Sequence, residues 1–257
     1  MQRWLSNKVL GWAPDNEGGS YTDNERLRRP HEIFAHAENV LGTKDSEFAV
    51  ADSIFALKRA INSRLQHIEE LYRLSTLFPK SVGALERLEY VGLARPMVVK
   101  QLFELRNDIE HNDVMPPNQQ RARELIDATW YFLRTTDSAC KMVPDRLLLR
   151  SAYPGTFPPE QWITLCPSRD GSNRFDIVGW VSEDLLAEVD GPDSFKLELE
   201  KLGKKPSGPP PGSDDEIANW AHIHNSARGD NERAVIGKAI LSNDIQREYW
   251  RLVIATT

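Results

Sequence analysis

The sequence predicts a helical bundle followed by a smaller α+β domain that contains an antiparallel sheet. Apolar residues recur every three or four positions up to about residue 143, which is typical of amphipathic helices. After Pro144 they form short alternating or continuous runs, which are typical of strands. With 257 residues, 40% of them hydrophobic, the chain can build one large core or two small ones. We therefore expect an arm over residues 1–24, a helical domain over 25–145 and an α+β domain over 146–257.

The N-terminal arm is polar but carries a few large apolar side chains. Trp4, Leu5 and Trp12 favour packing against a domain, whereas Gly18 and Gly19 favour an unstructured segment. Both interpretations stay open at the level of sequence.

The helical domain is predicted to contain four long helices and one shorter piece. Pro30 suits the first turn of the first helix, which ends at Gly42. Asp45 or Ser46 caps the second helix, which is expected to stop near Pro79. Its apolar stripe comprises Ile54, Leu57, Ile61, Leu65, Ile68 and Tyr72. The remaining pieces cover about 81–94, 96–111 and 118–142.

The α+β domain is predicted from short strands and one hairpin. Asp170-Gly171 lies between two apolar runs, which is a strong indication of a β-hairpin. The predicted strands cover residues 147–149, 162–166, 175–181, 195–199 and 249–254. The segment from about 204 to 215 is rich in proline, glycine and serine and is predicted to be a mobile loop.

Composition excludes several classes of protein. Lys and Arg total 32 against 38 for Asp and Glu, so the net charge of −6 excludes a generally basic nucleic-acid coat. The two cysteines are too few for a disulfide framework or a four-ligand structural zinc site. No apolar run is long enough to span a bilayer, and we identify no signal peptide, so we expect a cytoplasmic protein without membrane association. The absence of GxxxxGK[ST], GxGxxG and GxSxG motifs gives no support for ATP hydrolysis, dinucleotide binding or a serine hydrolase, and no cofactor is expected.

The most informative segment is Arg106-Asn107-Asp108-Ile109-Glu110-His111, near the end of the third long helix. It resembles the signature of the HEPN superfamily, in which an Arg, commonly followed by Asn, precedes a His by four to six residues on a helix of a small bundle. Two other Arg-to-His spacings, Arg26 to His31 and Arg29 to His36, lack the Asn and span Pro30. The resemblance covers about residues 25–143.

Helix geometry divides the apolar residues around this motif into two rows. Val98, Leu102, Leu105 and Ile109 share one face, which we expect to point toward the core. Val99, Phe103, Asn107 and His111 form a second row at i, i+4 spacing. Either another helix of the same chain or a second copy of the protein covers Val99 and Phe103. The second alternative makes them a dimer interface, which agrees with the family, whose active site lies where two motifs face each other.

The resemblance implies a metal-independent endoribonuclease of a toxin–antitoxin or anti-phage defence system. His111 suits proton transfer because histidine changes charge near neutral pH. Arg106 suits phosphate binding because its planar fork donates two hydrogen bonds, and Asn107 is expected to orient the phosphate or the imidazole. The expected partners are RNA, with tRNA among the candidates, a second copy in a homodimer, and an antitoxin or regulatory protein. The products would be 2′,3′-cyclic phosphate and 5′-hydroxyl ends.

A structural interpretation of the same residues stays open. Arg106 can pair with Glu110 one turn later. His111 can cap the helix C-terminus, where the helix dipole favours a cation. Asp108 and Glu110 also repel phosphate. The chain is then a non-catalytic dimerisation and binding module for a partner protein, nucleotide or nucleic acid.

Other candidate sites have weaker support. His222 and His224 lie on one side of a possible strand but lack a third metal ligand, and His67 is expected to be a packed or surface histidine. Cys140 and Cys166 are expected to have no chemical role. The basic residues near Arg26 are interleaved with glutamates. The aromatic residues of the C-terminal half fit a sheet core better than a base-stacking platform, and they are Trp162, Phe175, Trp180, Trp220, Tyr249 and Trp250.

Overall fold

The computed structural model describes residues 1–43, 46–95, 97–151, 161–168, 172–203 and 231–256. The helices in these ranges are α1 (Asn24–Thr43), α2 (Glu47–Tyr72), α3 (Ala84–Tyr90), α4 (Met97–His111), α5 (Gln119–Lys141) and α6 (Asn243–Ala255). The strands are β1 (Gln2–Ser6), β2 (Ala13–Glu17), β3 (Ser20–Tyr21), β4 (Met142–Val143), β5 (Arg146–Arg150), β6 (Trp162–Pro167), β7 (Arg174–Ser182), β8 (Leu186–Ala187), β9 (Ser194–Gly203) and β10 (Glu232–Ile240). The chain forms two compact units, one from residues 20–143 and one from residues 1–19 together with 144–256.

The first unit is helical apart from the short β3–β4 pair. Helices α1, α2 and α5 pack on one another, and α4 packs against α2 and α5. Their buried side chains are mainly aliphatic. The core also holds the side chain of Arg64, which is 0% exposed and donates from Nη2 to Asp137 Oδ1 over 2.6 Å. Since a buried cation needs a partner, this contact ties α2 to α5.

The ends of α1 and α2 show which local predictions were right. Ser46 caps α2 as expected, because its Oγ accepts from the amide of Ala49 at 3.2 Å. Helix α2 ends earlier than predicted, at Tyr72, because Arg73 adopts the left-handed conformation with φ of 48°. Pro30 was predicted in a first turn but lies inside α1, which begins at Asn24.

The second unit is built on an eight-stranded antiparallel sheet with the order β2-β5-β6-β7-β10-β9-β1-β8. The predicted hairpin is confirmed, because β6 and β7 pair antiparallel with Leu165 opposite Ile177. Residues 169–171 of its turn lie outside the described ranges.

This sheet curls strongly. Six steps separate β2 from β1 in the strand order, so a flat sheet would place them about 29 Å apart at about 4.8 Å per step. The connecting residues 7–12 reach only about 24 Å when fully extended. Residues Asn7–Gly11 form a 3-10 turn, which shortens the connection further. The two ends of the sheet must therefore approach each other.

One face of the curled sheet and α6 share the main core of this unit. Alternate residues of β7, namely Phe175, Ile177 and Val181, belong to that core, as do Tyr249 and Val253 of α6. The opposite face carries a smaller buried cluster of Leu148, Trp162, Trp180 and Ala234. The aromatic residues Trp162, Phe175, Trp180 and Tyr249 are thus core residues.

The predicted fold class, a helical bundle followed by a smaller α+β domain, is wrong. The chain is an α+β protein whose described residues contain six α-helices and a large eight-stranded sheet. The error arises from the N-terminal segment. Strands β1 and β2 precede the helices α1–α5 in the chain, yet they pair with β8, β9 and β5, which follow those helices. A local sequence pattern does not predict which strands pair when they lie so far apart along the chain.

The predicted strand at residues 249–254 is also wrong. This segment belongs to helix α6, which Ser242 caps by accepting from the amide of Ile245 at 3.4 Å. Ile245, Tyr249 and Leu252 follow helical spacing, and Tyr249 and Leu252 are buried. The apolar run Leu252-Val253-Ile254 obscured this period.

None of the helices in the described part of the chain combines the length and the apolar composition that crossing a membrane requires. The predicted mobile loop at residues 204–215 lies outside the described residues.

Candidate functional site

Helix α4 carries the Arg106–His111 segment at its C-terminal end. The helix stops at His111 because Asp113 adopts the left-handed conformation with φ of 52°. The amides of Asn112 and Val114 both donate to the carbonyl of Asp108, at 3.0 and 3.3 Å. These bonds fix the last turn of the helix, and with it the position of the motif.

The buried residues of α4 come from both predicted rows and not from one face alone. Leu102 of the first row and Val99 of the second are both buried, at 1% and 4% exposed. Phe103 is half-buried, and the Lys58 ammonium lies 5.3 Å from its ring centroid. A helix of the same chain, α2, therefore covers part of the second row.

Arg106 and Asn107 contact each other and a lysine of α2. Asn107 Oδ1 accepts from Lys58 Nζ at 3.1 Å and from Arg106 Nη1 at 3.4 Å. Two cationic side chains thus converge on one neutral oxygen. The pKa of Lys58 is lowered, first because partial burial disfavours the ammonium and second because Arg106 is near. Lys58 and Arg106 are therefore neighbouring cations on two helices.

Glu110 joins the two ends of the motif. Its carboxylate forms an ion pair with Arg106 one turn earlier, and the same Oε2 lies 3.3 Å from His111 Nε2. The ion pair predicted by the structural interpretation is therefore present. His111 itself is open to solvent, with 67% of its side chain exposed, whereas the Arg106 side chain is 24% exposed.

The cationic side chains of Arg106 and Lys58 each lie over an aromatic ring. The Arg106 guanidinium carbon lies 5.7 Å from the ring centroid of Phe55, and Lys58 lies over Phe103 as described above. Cations over ring faces are attracted by the ring quadrupole, which holds both side chains in place. We refer to Lys58, Arg106, Asn107 and His111 as the α4 cluster.

Sequence reasoning missed Lys58 and Phe55. Both lie on α2 at i, i+3 spacing, so they share a face, and that face meets α4. The sequence did indicate that a basic residue and an aromatic residue share one face of this helix. Which face of α2 meets α4 depends on tertiary packing, and the sequence pattern does not contain it.

A second polar cluster joins α1, α2 and α5. Asp137 Oδ1 lies 2.9 Å from His31 Nε2 and accepts from the buried Arg64, and Arg64 Nη2 is 3.3 Å from the same imidazole nitrogen. His67 is buried nearby on α2, and its pKa is lowered by desolvation first and by Arg64 second. This cluster neutralises a buried cation and is structural in character.

The other residues that the sequence singled out do not form a catalytic or metal site within the described residues. Cys140 and Cys166 are free thiols, and burial raises the pKa of both, so neither is an activated nucleophile. His222, His224 and Trp220 lie outside the described residues. Within the described ranges, no group of three or more histidine, cysteine or acidic residues is arranged to hold a metal ion.

Comparison of the chain with protein-family models, with curated proteins and with solved structures finds no match.

Proposed function

We propose that the protein is a metal-independent endoribonuclease of the HEPN type, acting on cytoplasmic RNA in a toxin–antitoxin or anti-phage defence system. The observation that supports this most directly is the convergence of Lys58 and Arg106 on Asn107, beside the exposed imidazole of His111. Charge-assisted donors next to a proton-transfer group are what phosphodiester cleavage requires.

In the proposed reaction, the RNA 2′-oxygen attacks the adjacent phosphorus and the 5′-oxygen leaves. Arg106 and Lys58 donate to the non-bridging phosphoryl oxygens, where negative charge grows. One histidine removes the 2′-hydroxyl proton and a second group protonates the departing oxygen. The phosphate must compete with Glu110 for Arg106, and His111 of a second copy supplies the second proton-transfer group in a homodimer.

The test is RNA cleavage in EDTA by the wild type and by the Arg106→Ala/His111→Ala double variant. Mixed cellular RNA including tRNA is the substrate, and the cleaved ends are mapped. We expect cleavage by the wild type only, leaving 2′,3′-cyclic phosphate ends. Arg123→Ala, an exposed arginine of α5, is the matched control and should cleave normally. Undiminished cleavage by the double variant, or by His111→Ala alone, contradicts the proposal.

A second candidate function rests on the Arg106–Glu110 ion pair. A carboxylate of the same helix neutralises the motif's arginine, and this arrangement suits a binding module that holds a partner without cleaving it. In that case Arg106→Ala lowers thermal stability or partner binding, and the wild type has no nuclease activity to lose. Capture of an antitoxin or regulatory protein by the full chain then becomes the relevant measurement.

A further inference from the structure

A groove of about 580 Å³ lies between the C-terminal half of α1 and the N-terminal half of α2. The side chains that matter for its chemistry are His36 of α1 and Phe48, Asp52, Phe55 and Arg59 of α2. The groove thus combines two aromatic rings with an anion, a cation and an imidazole.

Phe55 connects this groove to the α4 cluster. It lines the groove, and its ring also lies 5.7 Å from the Arg106 guanidinium carbon. Lys58, three residues later on α2, donates to Asn107 in the same cluster. The groove and the α4 cluster therefore adjoin each other at Phe55.

Phe48 is an exposed aromatic residue of the groove. It is 74% exposed, in contrast to the partly covered Phe55. An exposed ring at the mouth of a groove can stack on a nucleobase, whose flat face is apolar. Stacking is open to any unpaired base, while a base in a duplex has both faces covered.

The ionisable side chains of the groove have no hydrogen-bond or ion-pair partner among the described residues. Asp52, Arg59 and His36 are exposed, and within the described ranges none of their side chains forms a hydrogen bond or an ion pair. A carboxylate accepts from the exocyclic amino group of cytosine, and it repels a carbonyl oxygen in the same place. The cation of Arg59 favours a neighbouring phosphate.

We infer that this groove binds one unpaired, amino-bearing nucleobase of the RNA, stacked on Phe48 and recognised by Asp52. The inference rests on the proposed function for the identity of the ligand, and it adds a subsite that selects single-stranded RNA. The groove holds the base, and the α4 cluster holds the adjoining phosphate.

The test measures binding without cleavage. The probes are fluorescent 2′-O-methyl oligonucleotides, which lack the free 2′-hydroxyl needed for cleavage: an oligocytidine, an oligouridine and an abasic strand with the same phosphates. Full-length wild type is compared with Phe48→Ala, Phe48→Tyr and Asp52→Asn by fluorescence anisotropy. Tyr131→Ala, which removes a 64% exposed aromatic of α5, is the matched control. Thermal melting of each variant verifies that it folds.

We expect the wild type to bind oligocytidine roughly tenfold or more tightly than the abasic strand, as base–aromatic stacking predicts. Phe48→Ala should remove this difference, while Phe48→Tyr and Tyr131→Ala retain it. The preference for oligocytidine over oligouridine should disappear in Asp52→Asn.

Three results overturn the inference: no binding of oligocytidine by the wild type, equal binding by Phe48→Ala and wild type, or an equal loss in Tyr131→Ala. Equal affinity of the wild type for cytidine and uridine strands overturns the role of Asp52. If the expected binding pattern occurs but the wild type cleaves no RNA, the nuclease proposal fails while the groove assignment stands.

Discussion

Lys58 changes the chemistry expected of the α4 cluster. Without it, Arg106 is neutralised by Glu110 and the motif carries no surplus cation apart from a protonated histidine. With it, a second cation donates to Asn107 Oδ1 at 3.1 Å, and partial burial and the nearby Arg106 lower the pKa of this ammonium.

Lys58→Met is therefore expected to slow RNA cleavage about 10²-fold, the usual cost of losing one donor to a developing phosphoryl charge. The loss should appear in kcat as well as KM, and Lys58→Arg should retain most of the rate. Steady-state kinetics on a mapped RNA substrate check this. Lys100→Met, which removes an exposed lysine of α4 paired with Glu86, is the control. Equal rates for Lys58→Met and Lys100→Met would rule out a role for Lys58 in the reaction.

His67 links stability to pH. Burial, aided by Arg64, lowers its pKa below the usual 6.5, so the folded chain releases a proton that the unfolded chain binds. The free energy of unfolding therefore decreases as pH falls below about 6.5, by at most about 1.4 kcal/mol per pH unit from this group. Above that pH the contribution is constant.

The expected outcome is a shallower acid dependence in His67→Gln than in the wild type. Urea denaturation at several pH values between about 5 and 7.5 measures the slope. His36→Gln, an exposed histidine of α1, should keep the wild-type slope. If His67→Gln and wild type lose stability in parallel, His67 does not control the acid response.

At this scale the sequence identified Arg106, Asn107 and His111 as candidate site residues, because a motif is a local pattern, and their role stays a prediction. It was insufficient for Lys58 and Phe55, since their proximity to α4 depends on how two helices pack. Val99 illustrates the same limit: its burial is visible in the structure, while the sequence left two possible covers open.

At the scale of elements, an ion pair between the buried Arg64 and the half-buried Asp137 joins α2 and α5. Arg64 is fully buried, and Asp137 is its carboxylate partner at 2.6 Å. Removing the carboxylate leaves a buried cation without compensation, which typically costs 3–5 kcal/mol. Asp137→Ala is thus expected to lower the free energy of unfolding by about 3 kcal/mol.

The double variant Arg64→Met/Asp137→Leu should recover most of that loss, because it removes both charges together. Chemical denaturation of Arg64→Met, Asp137→Leu and the double variant completes the cycle. Additive losses in the double variant would show that the two side chains act independently.

Strands β6 and β7 approach each other unusually closely at Gly179. A Cβ there would lie 2.2 Å from the carbonyl oxygen of Trp162, which is backbone and has little room to shift. Gly179→Ala is expected to destabilise the sheet unit by roughly 2 kcal/mol or more. Gly11→Ala is the control, since nothing lies within 4 Å of its Cβ. Thermal unfolding measures both, and equal melting temperatures would contradict the expected clash.

Helices and strands whose apolar residues recur at a clear spacing were predicted well, and those without such a spacing were not. Helix α5 and the β6–β7 hairpin follow simple patterns of apolar residues and turns. Strand β10 was missed because small residues, Ala234, Gly237 and Ala239, occupy buried positions where a hydrophobic alternation is expected. Helix α6 was mistaken for a strand because a dense apolar run fits both periods.

At the scale of the whole molecule, the N-terminal segment supplies a strand near each end of the sheet. Strand β1 pairs with β8 and β9, while β2 pairs with β5 at the other end of the strand order. Residues 1–19 thus belong to the same unit as residues 144–256. Long-range pairing of this kind explains why the fold class was mispredicted although several individual elements were right.

The proposed reaction makes a prediction about assembly, because the described α4 cluster contains one histidine and cleavage needs both an acid and a base. A second copy related by a two-fold axis supplies the second imidazole. We therefore expect a homodimer by light scattering, and RNA cleavage whose rate per chain falls on dilution as the dimer dissociates. Adding inactive His111→Ala protein at high dilution should restore dimers but form mixed pairs with a single histidine, so it should not restore the full rate. A rate per chain that is independent of concentration in a protein shown to be monomeric would mean that one chain contains the complete site.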